Sequence, residues 1–180
     1  MAKKKETVGE ILFTEDQIRR RAKELGAQIS KDYEGEELIA ICTLRGSVVW
    51  FADLIKNIDL DMSIDLVSAS SYGSAQTSSG FVKITLDTEA NLYNKSVLII
   101  EDIVDTGTTL QYLIEKFKER GPKSIKVCTM LDKPSRRTNG MVADYIGFTV
   151  DDIFIVGYGL DYDQRYRNLP YVSYLTGAPD

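Results

Sequence analysis

At 180 residues and 43% hydrophobic content the chain can bury one substantial core, and no Pro-, Gly- or Ser-rich linker divides it, so residues 1–180 read as a single domain. Its 27 acidic and 22 basic side chains leave a net charge of −5, which advertises no basic face for nucleic acid; no apolar run approaches bilayer-spanning length either. There is no histidine at all, which removes the commonest general base and the commonest transition-metal ligand.

The opening MAKKKE has no hydrophobic stretch behind its charges, so it is not a secretory signal and the chain reads as cytoplasmic. Thr14-Glu15-Asp16-Gln17 has the form of a capping box, and Ile18, Ala22, Leu25 and Ile29 recur on one face of the helix it opens. Leu38 to Thr43 is a strand, followed by the turn Leu44-Arg45-Gly46-Ser47 and a helix through Val48, Phe51, Ala52 and Ile55. Met62 to Ser70 and Val82 to Leu86 read as two strands joined by a polar, glycine-rich loop, Ser71 to Gly80. Beyond the Val97 strand and its helix, Gly121-Pro122 marks a turn, Ser124 to Met130 another strand, and Tyr145 to Phe148 and Phe154 to Tyr158 two short ones. Strands alternating with helices imply an α/β protein with a mostly parallel sheet. Cys42 and Cys128 lie inside two of the apolar runs and are expected buried and reduced.

Val97 to Leu110, VLIIEDIVDTGTTL, carries the most chemistry. Val97, Leu98, Ile99 and Ile100 show no polar alternation, as a strand covered on both faces requires. Glu101 and Asp102 then stand at its carboxyl end, where open α/β sheets bind ligands. Asp105-Thr106-Gly107-Thr108-Thr109 leads into Leu110, Leu113, Ile114 and Phe117 at helical spacing, so the loop delivers a helix N-terminus to an anion. Gly107 lets the backbone approach closely and the threonine hydroxyls add donors. Without a lysine the loop does not fit a polyphosphate P-loop; its donors suit one terminal phosphate. Glu101 and Asp102 would repel that phosphate but suit a vicinal diol or the surroundings of a cation, and a diol one ring away from a phosphate describes ribose 5-phosphate.

This run resembles the phosphoribosyl-diphosphate (PRPP) signature of type I phosphoribosyltransferases, and four further segments resemble the hypoxanthine-guanine branch in order along the chain. They are Leu44-Arg45-Gly46-Ser47, Ser70-Ser71-Tyr72-Gly73, Leu131-Asp132-Lys133, and Phe154 to Tyr162 with Arg167 beyond. The resemblance implies the type I fold: a mostly parallel twisted sheet flanked by helices, a small hood from the N- and C-terminal segments, and a mobile β-hairpin loop. It implies transfer of a phosphoribosyl group from PRPP to a 6-oxopurine, with Mg²⁺ as cofactor and a homodimer or homotetramer as the assembly.

By the same resemblance Asp105 accepts the proton from purine N7, and Glu101, Asp102, Asp105, Thr106, Gly107, Thr108 and Thr109 hold the ribose phosphate. Glu101, Asp102 and Asp161 lie around the metal, and Arg45, Gly46 and Arg167 receive pyrophosphate. Lys133 donates to the purine O6, Phe154 stacks, and Ile155 pairs with the amide edge beside Asp161. Ser71 and Tyr72 open a loop that closes over the reaction, and the Leu44-Arg45 peptide is often cis in the family. Thr108 departs from what relatives often carry at its position. Arg136, Arg137, Arg165 and the pair Asp151-Asp152 read as solvated charges, and Trp50 as packing or interface. The alternative from another class is a PRPP-sensing regulator on the same fold; within enzymes it is a transferase for another base, such as xanthine, uracil or orotate.

Overall fold

A computed structural model of the chain describes residues 6–71 and 82–177. In chain order the elements are β1 (Thr7–Phe13), α1 (Glu15–Asp32), β2 (Leu38–Leu44), α2 (Val48–Ile55), β3 (Met62–Ser71), β4 (Val82–Leu86), β5 (Ser96–Val104), α3 (Thr108–Lys118), β6 (Ser124–Asp132), β7 (Tyr145–Thr149), β8 (Ile155–Val156) and β9 (Val172–Thr176), with a short 3-10 turn at Pro134–Arg136.

Six strands form one sheet in the order β4-β3-β2-β5-β6-β7. β3, β2, β5, β6 and β7 run parallel, and only β4 is antiparallel, as the return arm of the β3–β4 hairpin. Both faces of β2 and β5 are covered, which is why neither sequence alternates. Leu38, Ala40, Cys42, Leu98 and Ile100 pack with α1 and α2 on one face. Ile39, Ile41, Val97 and Ile99 pack on the other, with the α3 residues Leu110, Leu113 and Phe117. The chain winds outward from β2 to β3 and, in the opposite direction, from β5 to β6. The crevice between the carboxyl ends of β2 and β5 is therefore the switch point where such sheets take ligands.

The Thr14–Gln17 capping box is present, each residue satisfying the other's backbone N–H, and Ile18, Ala22, Leu25 and Ile29 are the buried face of α1. Arg21 of α1 donates to the Ile146 and Gly147 carbonyls, covering part of the open edge of β7. Three features depart from expectation. The buried face of α2 is Trp50, Phe51 and Leu54, with Ala52 turned to solvent. β5 runs on through Glu101 and Asp102 to Val104, held by pairing with β6 up to Asp132, because a ladder with a neighbour overrides the poor strand preference of two acids. The Phe154 to Tyr158 segment is strand only at Ile155–Val156.

β1 and β9, unanticipated as strands, join β8 in a second, three-stranded antiparallel sheet in the order β1-β9-β8. The N- and C-terminal segments thus meet as a small cap, and Phe13 stacks on Phe148 of β7, ring centroids 4.1 Å apart. No helix among the described residues is long and apolar enough to cross a membrane.

Candidate active site

The loops after β2 and β5 open onto a cavity of about 320 Å³. Glu101, Asp102, Arg45, Gly46, Asp161 and Arg167 all line it. A smaller cavity of about 100 Å³ adjoins it, lined by Glu101 and the whole run Asp105 to Thr109. Residues from four separated stretches of chain therefore meet at the switch point.

The acid pair is unusual for being turned inward. Burial pushes the Glu101 carboxyl well above the usual range and the neighbouring charge of Asp102 adds to it; the Thr43 hydroxyl, 2.6 Å from Oε2, opposes them. Thr43 has one proton and also lies 2.8 Å from the Ile100 carbonyl, so it cannot donate to both. Asp102 is likewise raised by burial, against the Ile103 N–H that donates to Oδ1 at 2.7 Å and the charge of Arg167; Asp161 raises it further. A pair held at such cost in the free protein gains from any partner that brings hydroxyl donors or positive charge. The Asp102 carboxylate lies directly on Gly46, where a Cβ would overlap it, so only glycine lets the β2 turn approach this closely.

Gly107 is the N-cap of α3 at φ 81°, a left-handed conformation, and no side chain caps the helix. The first-turn N–H groups stay open to an anion, with only a long contact of 3.4 Å between the Thr108 N–H and Thr106 Oγ1. A Cβ at Gly107 would also crowd Asn139 Oδ1 at 2.7 Å, a side-chain end that can shift, so it is the left-handed backbone that calls for glycine. Asp105 Oδ1 is buried with no hydrogen-bond partner among the described residues; Arg136 Nε stands 3.4 Å away. A shielded carboxylate oxygen that makes no hydrogen bond, with only a long contact to a guanidinium, still has room for a donor.

On the opposite wall the Leu44–Arg45 peptide is cis. Arg167 Nη2 pairs with Asp161 Oδ1 at 2.7 Å and Nη1 donates to the Gly159 carbonyl at 2.7 Å. Asp161 Oδ2 accepts from the Gln164 N–H at 2.8 Å, so the carboxylate is fixed at both oxygens. Around it Tyr158, Asp163, Gln164 and Tyr166 are all left-handed, with φ 51°, 51°, 62° and 76°. Such clustering of sparsely populated backbone is typical of ligand sites.

Lys133, Phe154 and Ile155 lie outside both cavities but beside them. The Lys133 ammonium is buried and donates to the Ile153 carbonyl at 2.9 Å, leaving further N–H groups for a ligand. Phe154 is 41% exposed with its ring edge-on to Tyr162 at 5.3 Å. Leu175 N donates to the Phe154 carbonyl, so Phe154 bonds toward β9 and Ile155, next along, turns its own N–H and C=O to the free edge of β8.

Comparison with known proteins agrees with this geometry. Residues 10–163 match the phosphoribosyl transferase domain. The hypoxanthine-guanine phosphoribosyltransferase of Bacillus subtilis (strain 168) is 47% identical over 174 residues, 97% of each chain. The chain belongs to the phosphoribosyl transferase family, in its hypoxanthine-guanine branch. The hypoxanthine-guanine phosphoribosyltransferase of Staphylococcus aureus (strain Mu50) is 48% identical over 166 residues, 92% of this chain and 93% of that one. A crystal structure of a hypoxanthine phosphoribosyltransferase from Staphylococcus aureus superposes with a TM-score of 0.91 at 47% identity, covering 94% of this chain and 92% of that one.

Several residues of this phosphoribosyl transferase were misread or missed in the sequence. Arg137 is no solvated charge: its side chain is 10% exposed and ion-paired with Asp132, itself 11% exposed. Arg136 and Asp152 are half exposed but engaged, Arg136 with Asp105 and with Asp152 at 3.6 Å, and Asp152 with Lys133 at 3.7 Å. Arg165 is half exposed, as a solvated charge, and pairs at the surface with Glu6 at 2.8 Å. Gln164 passed unnoticed, yet its amide oxygen lies 3.4 Å from Arg45 and 3.3 Å from Arg167 and so helps aim both guanidinium groups. Its only sequence signal is its place between Asp161 and Arg167. Of the expected closing loop, Ser71 ends β3, and Tyr72 to Gly80 lie outside the described residues.

Proposed function

We propose that this chain transfers the 5-phosphoribosyl group of PRPP to hypoxanthine or guanine, giving IMP or GMP and pyrophosphate in purine salvage. What supports it most is the junction of the uncapped α3 N-terminus with the inward-facing Glu101-Asp102 pair, a combination that suits a sugar bearing both a phosphate and a diol.

In this reading the amides of residues 106–109 hold the 5-phosphate and Glu101 and Asp102 accept from the ribose hydroxyls. The Gly46 turn, Arg45 and Arg167 receive the pyrophosphate, so the sugar is clamped at both ends while C1 is exposed to the base. Lys133 donates to the 6-oxo atom, the outward Ile155 carbonyl accepts from N1–H, and Phe154 lies against the ring. As N9 bonds to C1 and the C1–O bond to pyrophosphate breaks, Asp105 takes the proton from N7 on Oδ1, the oxygen that makes no hydrogen bond. Positive charge develops on the ribose ring and negative charge on the leaving group, which Arg45 and Arg167 face.

Among the described residues no three His, Cys, Asp or Glu side chains form a metal cage. A hard divalent cation would instead be held by one or two carboxylates together with substrate oxygens, the ordinary binding mode of Mg²⁺. Asp102 and Asp161 fit that role: both line the cavity, and the charge of Asp161 helps raise the Asp102 carboxyl. Bound there with the diphosphate, Mg²⁺ supplies positive charge to the leaving group.

We further propose a cytoplasmic homodimer or homotetramer. Two buried, unpaired cysteines suit a reducing compartment. Ile64, Leu66 and Leu86 share the α2 face of the sheet edge and are 56%, 39% and 44% exposed, apolar surface of the kind that marks an interface.

The test is PRPP-dependent conversion of hypoxanthine to IMP in the presence of Mg²⁺, run beside guanine, xanthine, adenine and uracil. Turnover with hypoxanthine and guanine is expected. Turnover confined to another base would overturn the assignment, and PRPP binding with no turnover would make the chain a sensor.

A further inference from the structure

The geometry points to Arg137 as a positioning residue for base recognition: with Asp132 it locks the loop that carries Asp105 to the strand end that carries Lys133. The inference rests on the hypoxanthine-guanine reading above and concerns how that site holds its shape.

β5 and β6 stay paired up to Val104 and Asp132, and the Lys133 N–H still donates to the Val104 carbonyl at 3.0 Å. Past that point the two chains part. Asp105 turns into the phosphate loop and Lys133 into the 3-10 turn at Pro134–Arg136. Arg136 reaches across only in a half-exposed contact of 3.4 Å with the Asp105 carboxylate, whereas the Arg137 guanidinium spans the gap with buried hydrogen bonds. Arg137 Nη1 donates to the Asp105 main-chain oxygen at 2.7 Å, while Nη2 is bonded to the Asp132 carboxylate. Both side chains are about nine-tenths buried, so the bonds are shielded from competing water.

The neighbouring residues extend the same contact. Thr138 reaches the Thr106 carbonyl through its N–H and its hydroxyl, both at 3.3 Å, and Asn139 lies against Gly107. Of these three residues Arg137 makes the shortest and the only charged bond to the loop, and of the three it alone also holds β6. Its two donors diverge from a rigid plane, so moving Asp105 relative to Lys133 must break one of them; a lysine at this position has no such fork. A buried ion pair by itself is weak evidence for stability, since apolar residues of similar size serve that purpose as well. What apolar residues could not do is fix the distance between the carboxylate facing N7 and the ammonium facing O6. Tolerances are narrow there, because a displacement of about 1 Å can cost about 10²-fold in rate.

The experiment compares wild type, Arg137→Lys and the double variant Arg137→Met/Asp132→Leu, measuring kcat/KM for hypoxanthine, kcat/KM for PRPP, and Tm. Wild-type turnover of hypoxanthine comes first; its absence would sink the functional reading, and this inference with it. Given that turnover, Arg137→Lys should lower kcat/KM for hypoxanthine by about 10²-fold and that for PRPP by less than about threefold. PRPP is spared because the phosphate amides are anchored separately, Gln111 N donating to the Gly107 carbonyl at 2.9 Å. The double variant should regain the wild-type Tm without regaining hypoxanthine efficiency. The ratio of the two efficiencies does not depend on how much enzyme is folded, so it reads positioning even in a destabilised preparation. An unchanged ratio in both variants, or recovery of hypoxanthine efficiency along with Tm in the double variant, would overturn the proposal and leave Arg137 a structural tether.

Discussion

Asp105 Oδ1 is shielded from water yet makes no hydrogen bond, its one charged neighbour being the Arg136 guanidinium in a long contact of 3.4 Å. Replacement of Asp105 by Asn keeps the size and the loop amides but removes the proton acceptor. Asp105→Asn should therefore lower kcat by about 10²- to 10⁴-fold while IMP still binds, measured by steady-state turnover beside a nucleotide titration. Near wild-type turnover would take Asp105 out of the mechanism. Lys133 makes the complementary prediction for selectivity. Adenine would present an amino donor to the ammonium and a lone pair to the Ile155 carbonyl, so both contacts fail together, and hypoxanthine should be preferred by about 10⁴- to 10⁵-fold in kcat/KM. Comparable efficiencies for the two bases would remove Lys133 from base recognition. These residues were legible because each belongs to a contiguous motif. Arg137 was not, since two adjacent arginines in a polar stretch read as solvent-facing and the burial of one is decided by Asp132 across a turn. The acid inside the LDK segment was the available signal: a charge at the end of a buried strand needs a partner.

Among the elements, those with their own local period were readable: the capping box and apolar face of α1, the unalternating runs of β2 and β5, and the hairpin arm β4 were all anticipated. β1 and β9 were not. Each is short, and their pairing joins Thr7 to Thr176 across nearly the whole chain, so nothing within either segment announces it. β5 was read too short for a related reason, because the ladder to β6 carries Glu101 and Asp102 along as strand. The α3 N-terminus offers the sharpest test at this scale. Gly107→Ala adds a methyl to a left-handed residue, at a cost of about 1 to 2 kcal/mol, and drives it toward Asn139. Relief requires the loop to turn, which misdirects the amides of the first turn. KM for PRPP should rise by about tenfold or more, with a smaller change in KM for hypoxanthine. An unchanged KM for PRPP would mean that these amides do not hold the phosphate.

For the molecule as a whole, the sheet order settles where chemistry can happen and charge settles what it needs. Opposite winding from β2 and β5 opens the crevice, and the turns that follow those two strands fill it from both sides; the alternation of strands and helices foretold a parallel sheet, but not which pair of strands would part. With burial favouring the neutral form of Glu101, the described lining of the crevice sets Asp102 and Asp161 against Arg45 and Arg167 and leaves no positive charge to spare, in a chain whose net charge is already −5. A substrate carrying a phosphate and a diphosphate adds several negative charges to that balance, and Arg167 is already paired with Asp161 at 2.7 Å. The two arginines therefore cannot balance the charge that collects on departing pyrophosphate. Removing divalent cations with excess chelator should lower turnover by at least about 10²-fold, and returning Mg²⁺ should restore it. Arg45→Gln should deepen the dependence, raising the Mg²⁺ concentration needed for half-maximal rate, because one of the two fixed positive charges is gone. Full activity in chelator would mean that the protein's own cations suffice and that the acidic crevice serves the sugar alone.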